Sequence, residues 1–329
     1  MIKFEHVEVT GWKAAIRGMR NPKESWDRGD SFICPNGGWC YGHECPFDRG
    51  IGEDCWHDSG DFIIGPNDMD LMKRLAKAGS DHRKFMRYLT VTVDITAPLY
   101  WWKEFDTYKV GTVANSESTM HCIHKHEFTM DDFSCEHLFN IDLDDYFDED
   151  GRVTNPDIFE FDEENHFDSY EVLSIMIGVL NFYRKRYLEL DAQIKKGPAT
   201  AEMCEKRKQY WWQMIQLLPS SYNQKRTVQI NYETLANIRR SRRGHKLDEW
   251  SKGFMEFIDS LPYSEIIDIA AEVKTEEQKK AERSKLTDKI ALMRSAGMSM
   301  SAIATILEIP ESKAREMYCE EEQVDENSI

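Results

Sequence analysis

No apolar run in this chain approaches the roughly 20 residues needed to span a bilayer. The opening Met1-Ile2-Lys3-Phe4-Glu5-His6 also lacks the apolar stretch of a secretory signal. These two absences leave no membrane partner and make cytoplasmic residence the expectation. Cations are scarce as well: 42 Lys and Arg stand against 59 Asp and Glu, a formal net charge of −17. A surface that coats nucleic acid must carry cationic excess to displace counterions, so that class is excluded for the molecule as a whole. Only a local basic run, Arg239-Arg240-Ser241-Arg242-Arg243, stands out. There is no internal repeat, no low-complexity tract and no tight Cys-x2-Cys pair of the kind that marks most zinc knuckles.

The 329 residues can bury a sizeable core, and the length corresponds to about two domains. A hydrophobic content of 41% with 31% charged residues is ordinary for a soluble globular protein. Four of eight cysteines cluster as Cys34, Cys40, Cys45 and Cys55, with His43 and His57 nearby. They lie in a loop-rich insertion over residues 27–60 that has little core of its own and needs a staple if ordered. A structural zinc on the four thiolates is one reading; free thiols or a disulfide is the other. His121, Cys122, His124, His126, Cys135 and His137 fit the spacing of no common metal site.

Periodicity predicts an α+β chain. Lys3 to Val9 reads as a strand, followed by a helix over Trp12–Arg20. Asn67 or Asp68 is placed to cap a helix through Leu71, Met72, Leu75 and Ala76. Phe85 to Val93, ending in a β-branched run, reads as a strand, and Pro98 precedes an aromatic helix from about Leu99 to Phe105. Trp101 and Trp102 fit the core face of that helix; Lys103, Glu104, Asp106 and Lys109 suit a solvated face or a ligand shell. Residues 141–168 are strongly acidic; Asp148-Glu149-Asp150-Gly151 has the look of a calcium loop, but Tyr146 holds the first ligand position, so a solvated loop is the reading. Long amphipathic helices are expected from Tyr170 to Ala192 and from Met203 to Leu218. A brief strand follows at Thr227 to Ile230, then a helix from Asn231 to Arg243 and another from Trp250 to Leu261.

Beyond residue 275 the rhythm is helix-turn-helix: a charged helix to Met293, Gly297-Met298-Ser299, a short apolar helix, then a helix from Glu311 to Tyr318 and an acidic disordered end over 319–329. The last helix carries Glu311 and Glu316 against Lys313 and Arg315, which weighs toward a protein contact or packing role and leaves DNA binding as the alternative.

Two stretches hold more amides, hydroxyls and guanidinium groups than a packed core requires. One runs from His82 through Trp101–Lys109 to Ser118; the other runs from Leu217-Leu218-Pro219-Ser220-Ser221-Tyr222 through Asn231 to Arg242-Arg243-Gly244-His245 and Glu249. Such an inventory suits a ligand with phosphates and a flat ring. These stretches, with Gly11–Arg17, resemble the flavin-dependent thymidylate synthases over about residues 3 to 262, apart from the cysteine insertion and the acidic loop. Asn231, Arg242, His245 and Glu249 fall in the order of that family's closing pattern. The family's Arg-His-Arg is missing: one register puts Lys103-Glu104-Phe105 there, another Tyr108-Lys109-Val110, with Met120 in place of the nucleotide-loop arginine. A lysine grips phosphate only as a point charge, where a guanidinium grips it bidentately.

The resemblance implies a mixed sheet with long helices over residues 1–263, to which the rhythm beyond residue 275 adds the small helical tail over 275–318. It implies FAD as cofactor, NADPH and methylenetetrahydrofolate as co-substrates, a deoxyuridine nucleotide such as dUMP as methyl acceptor, and a homotetramer with flavin sites between subunits. By the same route His82, Lys109, Asn231 and His245 are expected at the flavin, and Ser118 and Arg242 at the reacting nucleotide. Lys103, Ser116, Ser118, Arg242 and Arg243 are then expected to hold that nucleotide. In this chemistry the reduced flavin carries the hydride, so no cysteine nucleophile is required. A catalytically silent relative that only binds nucleotide, and a DNA-binding regulator acting through the tail, are the alternatives.

Overall fold

The computed structural model describes residues 2–34, 61–139, 169–272 and 276–318, apart from 308 and 316. Cys40, Cys45 and Cys55, with most of the 27–60 insertion, lie outside the described residues, as do the acidic 141–168 segment (all but its surroundings) and the 319–329 end. Cys34 is described and is a buried free thiol. No helix among the described residues is long and apolar enough to cross a membrane.

The architecture is mixed helix and antiparallel sheet. Strand β1 (Lys3–Thr10) leads through Gly11 into helix α1 (Trp12–Arg20). A two-residue ribbon, β2 (Phe32–Ile33) paired with β3 (Phe62–Ile63), precedes α2 (Pro66–Lys77). Then come β4 (Thr90–Pro98), α3 (Leu99–Phe105), β5 (Thr112–Ser116) and the four-residue α4 (Thr119–Cys122). Two long helices follow, α5 (Ser169–Lys196) and α6 (Ala201–Leu217), before β6 (Asn223–Asn231) and α7 (Tyr232–Arg242). A π-helical turn over Glu249–Phe254 runs into α8 (Met255–Asp259), then α9 (Glu265–Glu272), α10 (Glu276–Ser295) and α11 (Met300–Ile306).

The sheet order is β1-β4-β6-β5, every pair antiparallel. In β4 the period of two is complete: Val91, Val93, Ile95 and Ala97 are buried, while Thr90, Thr92, Asp94 and Thr96 alternate with them on the wetter face. There Thr227 Oγ1 donates to Asp94 Oδ1 at 2.6 Å and Lys225 reaches Glu5 at 2.9 Å. The inner face packs on α1, α2, α3, α7, the π-helical turn and α9 through Trp12, Met72, Trp101, Trp102, Leu235, Trp250, Phe254 and Ile266. Each such side chain, fully buried, contributes about 1.5–3 kcal/mol. This core continues through Ile266, Ile267 and Ala270, past the expected edge at residue 263. A second cluster seats Ile123, Phe128 and Phe133 against Leu173, Ile177 and Leu180 of α5 and Met214 of α6. A third belongs to the tail alone: Ile290, Met300, Ile303, Ala304, Ala314 and Met317.

Several expectations shift in register. Strand β4 begins at Thr90 and runs to Pro98; the stretch read as its start instead forms a 3-10 turn over Lys84–Arg87, which buries Phe85 and Met86. Strand β6 is nine residues long rather than four. Its polar letters misled because both edges of its ladder are paired, to β4 and to β5, so backbone bonding rather than side-chain pattern defines it. The start of α2 is capped by neither Asn67 nor Asp68. Asp30, far upstream, accepts from the backbone N–H groups of Asn67 (2.8 Å) and Asp68 (3.0 Å). Asp68 is thereby freed for the interior. It is fully buried and accepts from Arg20 Nε at 2.7 Å, Ser31 Oγ at 2.6 Å and the N–H groups of Asp30 and Ser31. Burial alone would raise its pKa, but Ser31, Arg20 and the Asp30 N–H outweigh that and hold the carboxyl below the usual range.

Substituting Asp68→Ala strands the buried Arg20 guanidinium, and urea titration is expected to show a loss of about 3–5 kcal/mol. Because the folded pKa is depressed, the wild-type contribution is present above the ordinary aspartate pKa and fades as pH falls below it; the variant is expected to show a flatter acid limb in the same titration repeated from pH 6 to 3.

Candidate functional site

The ladder between β4 and β6 pairs Pro98 with Asn223 at one end and Thr90 with Asn231 at the other. Helix α3 therefore leaves the sheet at one end and α7 at the opposite end. The Pro219–Tyr222 segment serves the first departure: the carbonyls of Tyr222 and Ser220 accept from the otherwise unpaired N–H groups of Leu99 (3.0 Å) and Tyr100 (3.1 Å). Asn231 serves the second. As the N-cap of α7, its Oδ1 accepts from Thr234 N–H at 2.9 Å and from Thr234 Oγ1 at 3.1 Å.

Where the far ends of the two helices meet, their polar groups converge. Glu104 Oε2 accepts from Arg242 Nη1 at 2.7 Å and lies 3.3 Å from His245 Nε2. Arg242 Nε donates to Tyr108 Oη at 2.9 Å, and its guanidinium lies over the rings of Trp250 (5.1 Å) and Tyr108 (5.7 Å). His245 Nδ1 accepts from Leu247 N–H at 3.1 Å, which leaves Nε2 as the nitrogen facing Glu104. Tyr108 Oη also meets Ser241 Oγ at 2.8 Å. Beneath this lies a second group: Tyr100 donates its hydroxyl to the buried Glu249 and lies 3.0 Å from Ser134 Oγ. Burial first, and then the bond to Glu249, push the Tyr100 phenol up to about 12.

The other expected residues are distributed around this cluster. Asn231 and His245 lie beyond opposite ends of α7, an 11-residue helix about 16 Å long at 1.5 Å per residue; within one chain they do not share a contact. The loop from Asp106 to Gly111 spans the interval, with Tyr108 at one end and Gly111 packed on Asn231 at the other. A Cβ on Gly111 (φ +78°) would fall 2.4 Å from Asn231 Nδ2. Lys103 is exposed on α3, and Lys109 is exposed in the loop. Ser116 is exposed at the end of β5, paired with Arg226, and Ser118 is the N-cap of α4, where its carbonyl accepts from Cys122 N–H at 2.9 Å and its side chain makes no cap bond. Arg243 is exposed, 3.6 Å from Asp268. The basic run is largely spent inside the fold. Arg240 donates to the carbonyls of Ala270 and Ala271 at the end of α9 (2.7 and 2.8 Å), and Arg239 pairs with Asp259 and Asp268. Among the described residues no three His, Cys, Asp or Glu are grouped to hold a metal.

Three contributors escaped the sequence reading. Glu104 entered it as a solvated-face or ligand-shell charge and as a stand-in within the missing Arg-His-Arg, not as the partner of Arg242 and His245. Tyr100 did not enter at all, although it lies one turn before Glu104 on the same face of α3. Arg226 lies 4.2 Å over the Trp102 ring and 2.8 Å from Asp106, and nothing in its strand context marks it.

His82 lies elsewhere, exposed on a cleft of about 1160 Å³ between α1, α2 and the 3-10 turn. Lys23, Arg28 and Lys84 also line it, and no carboxylate among the described residues is within ion-pair distance of these three; Glu24, Asp27 and Asp81 share the wall. Tyr88, 56% exposed, presents a ring to it.

No protein-family model and no curated protein matches the chain. Among solved structures, thymidylate synthase X from Helicobacter pylori with FAD and dUMP aligns at TM-score 0.46 and 14% identity, over 82% of this chain and 98% of that one. Another structure of the flavin-dependent thymidylate synthase from Helicobacter pylori, complexed with FAD and dUMP, aligns at 0.44 and 13%, over 83% and 99%. The UMP/dUMP methylase PolB from Streptomyces cacaoi, bound with 5-Br dUMP, aligns at 0.41 and 13%, over 83% and 94%. At these values the likeness assigns no family and no activity, so the functional reading has to rest on the residues themselves.

Since the folded Tyr100 phenol ionises about two units above its ordinary value of 10, its contribution to stability is complete below pH 10 and lost as pH rises toward 12. Tyr100→Phe is expected to abolish that alkaline loss, and by leaving Glu249 buried without its donor to cost about 1–3 kcal/mol at pH 7 in thermal or urea unfolding.

Proposed function

We propose that this chain binds a flavin and a pyrimidine deoxynucleotide and transfers a one-carbon unit to dUMP or a related deoxynucleotide, drawing on methylenetetrahydrofolate and NADPH. The observation that supports the reading most is the meeting of the two sequence-distant stretches. Glu104 and Tyr108 come from one, Arg242, His245 and Trp250 from the other, and they form a single cluster of guanidinium, imidazole and aromatic faces. Such a cluster offers planar donors and stacking surfaces to a nucleobase and its phosphate.

The residues also fit FAD. The cleft beside His82 is large enough for a dinucleotide, its Lys23, Arg28 and Lys84 suit a pyrophosphate, and Tyr88 suits a flat ring. Bound reduced flavin would supply the hydride. The chain's own residues would have three tasks: Arg242 to orient the nucleotide, His245 to present its Nε2 hydrogen, and Trp250 with Trp101 to keep water from the cluster's inner side. Because Asn231 and His245 stand at opposite ends of α7, the reading calls for a second subunit to bring the Asn231 end of one chain to the His245 end of another, in keeping with a homotetramer. Lys103, Ser116 and Ser118 then belong to the nucleotide side and Lys109 to the flavin side, which the solvent-facing placement of all four permits.

One observation favours a second reading, a nucleotide-binding module without turnover. Glu104 occupies the guanidinium that would otherwise take phosphate. The three-helix tail with its own core keeps duplex DNA as a partner of the tail, with Lys313 and Arg315 exposed on its last helix.

Purified protein is expected to show flavin absorbance, or to gain thermal stability with added FAD, and to bind dUMP at least tenfold more weakly as Arg242→Ala. A colourless protein indifferent to FAD and dUMP would sink the proposal. NADPH oxidation stimulated by dUMP separates the enzyme from the silent module, and salt-sensitive duplex binding that survives removal of residues 275–329 would exclude the tail as its source.

A further inference from the structure

A second cleft, of about 610 Å³, shares Arg20 with the larger one but opens along a different face of α1. Two cations line it one helical turn apart, Lys13 and Arg17. Both are exposed, and among the described residues neither has a carboxylate within ion-pair distance. Like charges at this spacing repel, and in a chain carrying 59 acidic residues a compensating carboxylate would be easy to place. None is there. The floor of the cleft adds no net charge of its own, because Arg20 and Asp68 pair at 2.6 Å and their remaining polar atoms are taken by Ser25 O, Arg28 O and Ser31. The rest of the lining is largely apolar. Trp26, 52% exposed, has its indole N–H already donated to Asn21 Oδ1 at 2.9 Å, so what it offers the cleft is ring surface; Ile33 and Phe62 extend that surface.

We infer that this cleft binds a small amphipathic anion: a planar aromatic body laid against Trp26, Ile33 and Phe62, with a terminal carboxylate or phosphate held by Lys13 and Arg17. Its volume lies within the range of small-molecule sites and is far larger than a lone inorganic anion needs. Two cations and an aromatic ring lining one cleft give the ligand an orientation as well as a charge. The site is separate from the cluster at Arg242 and does not depend on the flavin reading.

Calorimetric titration of the full chain with 1-naphthyl phosphate, 1-naphthoate and the neutral 1-naphthol tests it. At least one of the two anions is expected to bind tenfold or more tightly than naphthol, and which one does so tells a phosphate site from a carboxylate site. The double variant Lys13→Gln/Arg17→Gln alters only exposed side chains and is expected to melt as wild type does while losing that tenfold advantage. Trp26→Ala is expected to weaken all three ligands together. Equal binding of naphthol and both anions, no binding of either anion at millimolar concentration, or undiminished anion binding by the double variant would each overturn the inference.

Discussion

The nine-residue pairing of β4 with β6 is the constraint from which the rest of the molecule takes its shape. It fixes Leu99 beside Tyr222 and Tyr232 beside Leu89, so the directions in which α3 and α7 leave the sheet are set by backbone hydrogen bonds rather than by side-chain choice. Because the strands are antiparallel, the helices set out from opposite ends of the ladder, and their far ends come together. Everything polar around Glu104 and Arg242 follows from that geometry, and so does the separation of Asn231 from His245. A one-residue slip would turn Val91, Val93, Ile95 and Ala97 to water, a cost of several kcal/mol that holds the register.

On this scaffold arginine is used in two different ways. Arg20, Arg83, Arg239 and Arg240 act inside the fold, meeting Asp68, Glu233 and the carbonyl end of α9, where a planar donor set satisfies several acceptors at once. Arg242 and Arg226 lie over aromatic rings at the rim, each tied to one carboxylate, Glu104 or Asp106. Four arginines between residues 239 and 243 therefore amount to much less surface charge than their number implies, which agrees with a chain whose net charge is strongly negative.

Much of the fold was legible because its elements obey one-dimensional rules. The alternation of β4, the aromatic face of α3 and the long α5 and α6 are all periodic, and burial there follows period. What escaped did so for three-dimensional reasons. The cap of α2 is supplied by Asp30, 37 residues before Asn67, and no local window contains both. Strand β6 hides in polar letters because its partners come from two other strands. At the candidate site, Arg242 and His245 could be picked out by their order in the chain. That Glu104 meets both could not, since a glutamate between a lysine and a phenylalanine suits a solvated helix position as well as a ligand shell. Which of these residues meet was settled by the ladder and by the path of the 106–111 loop.

That loop is pinned at its carboxyl end by Gly111, whose bare backbone lies flat against Asn231 and Thr234. An added or deleted residue on its amino side would carry Tyr108 along α7 without disturbing the amide at the helix start. The two ends of α7 are thus mechanically uncoupled: chains of this architecture can rebuild what they present around Arg242 while the contacts at Asn231 stay fixed.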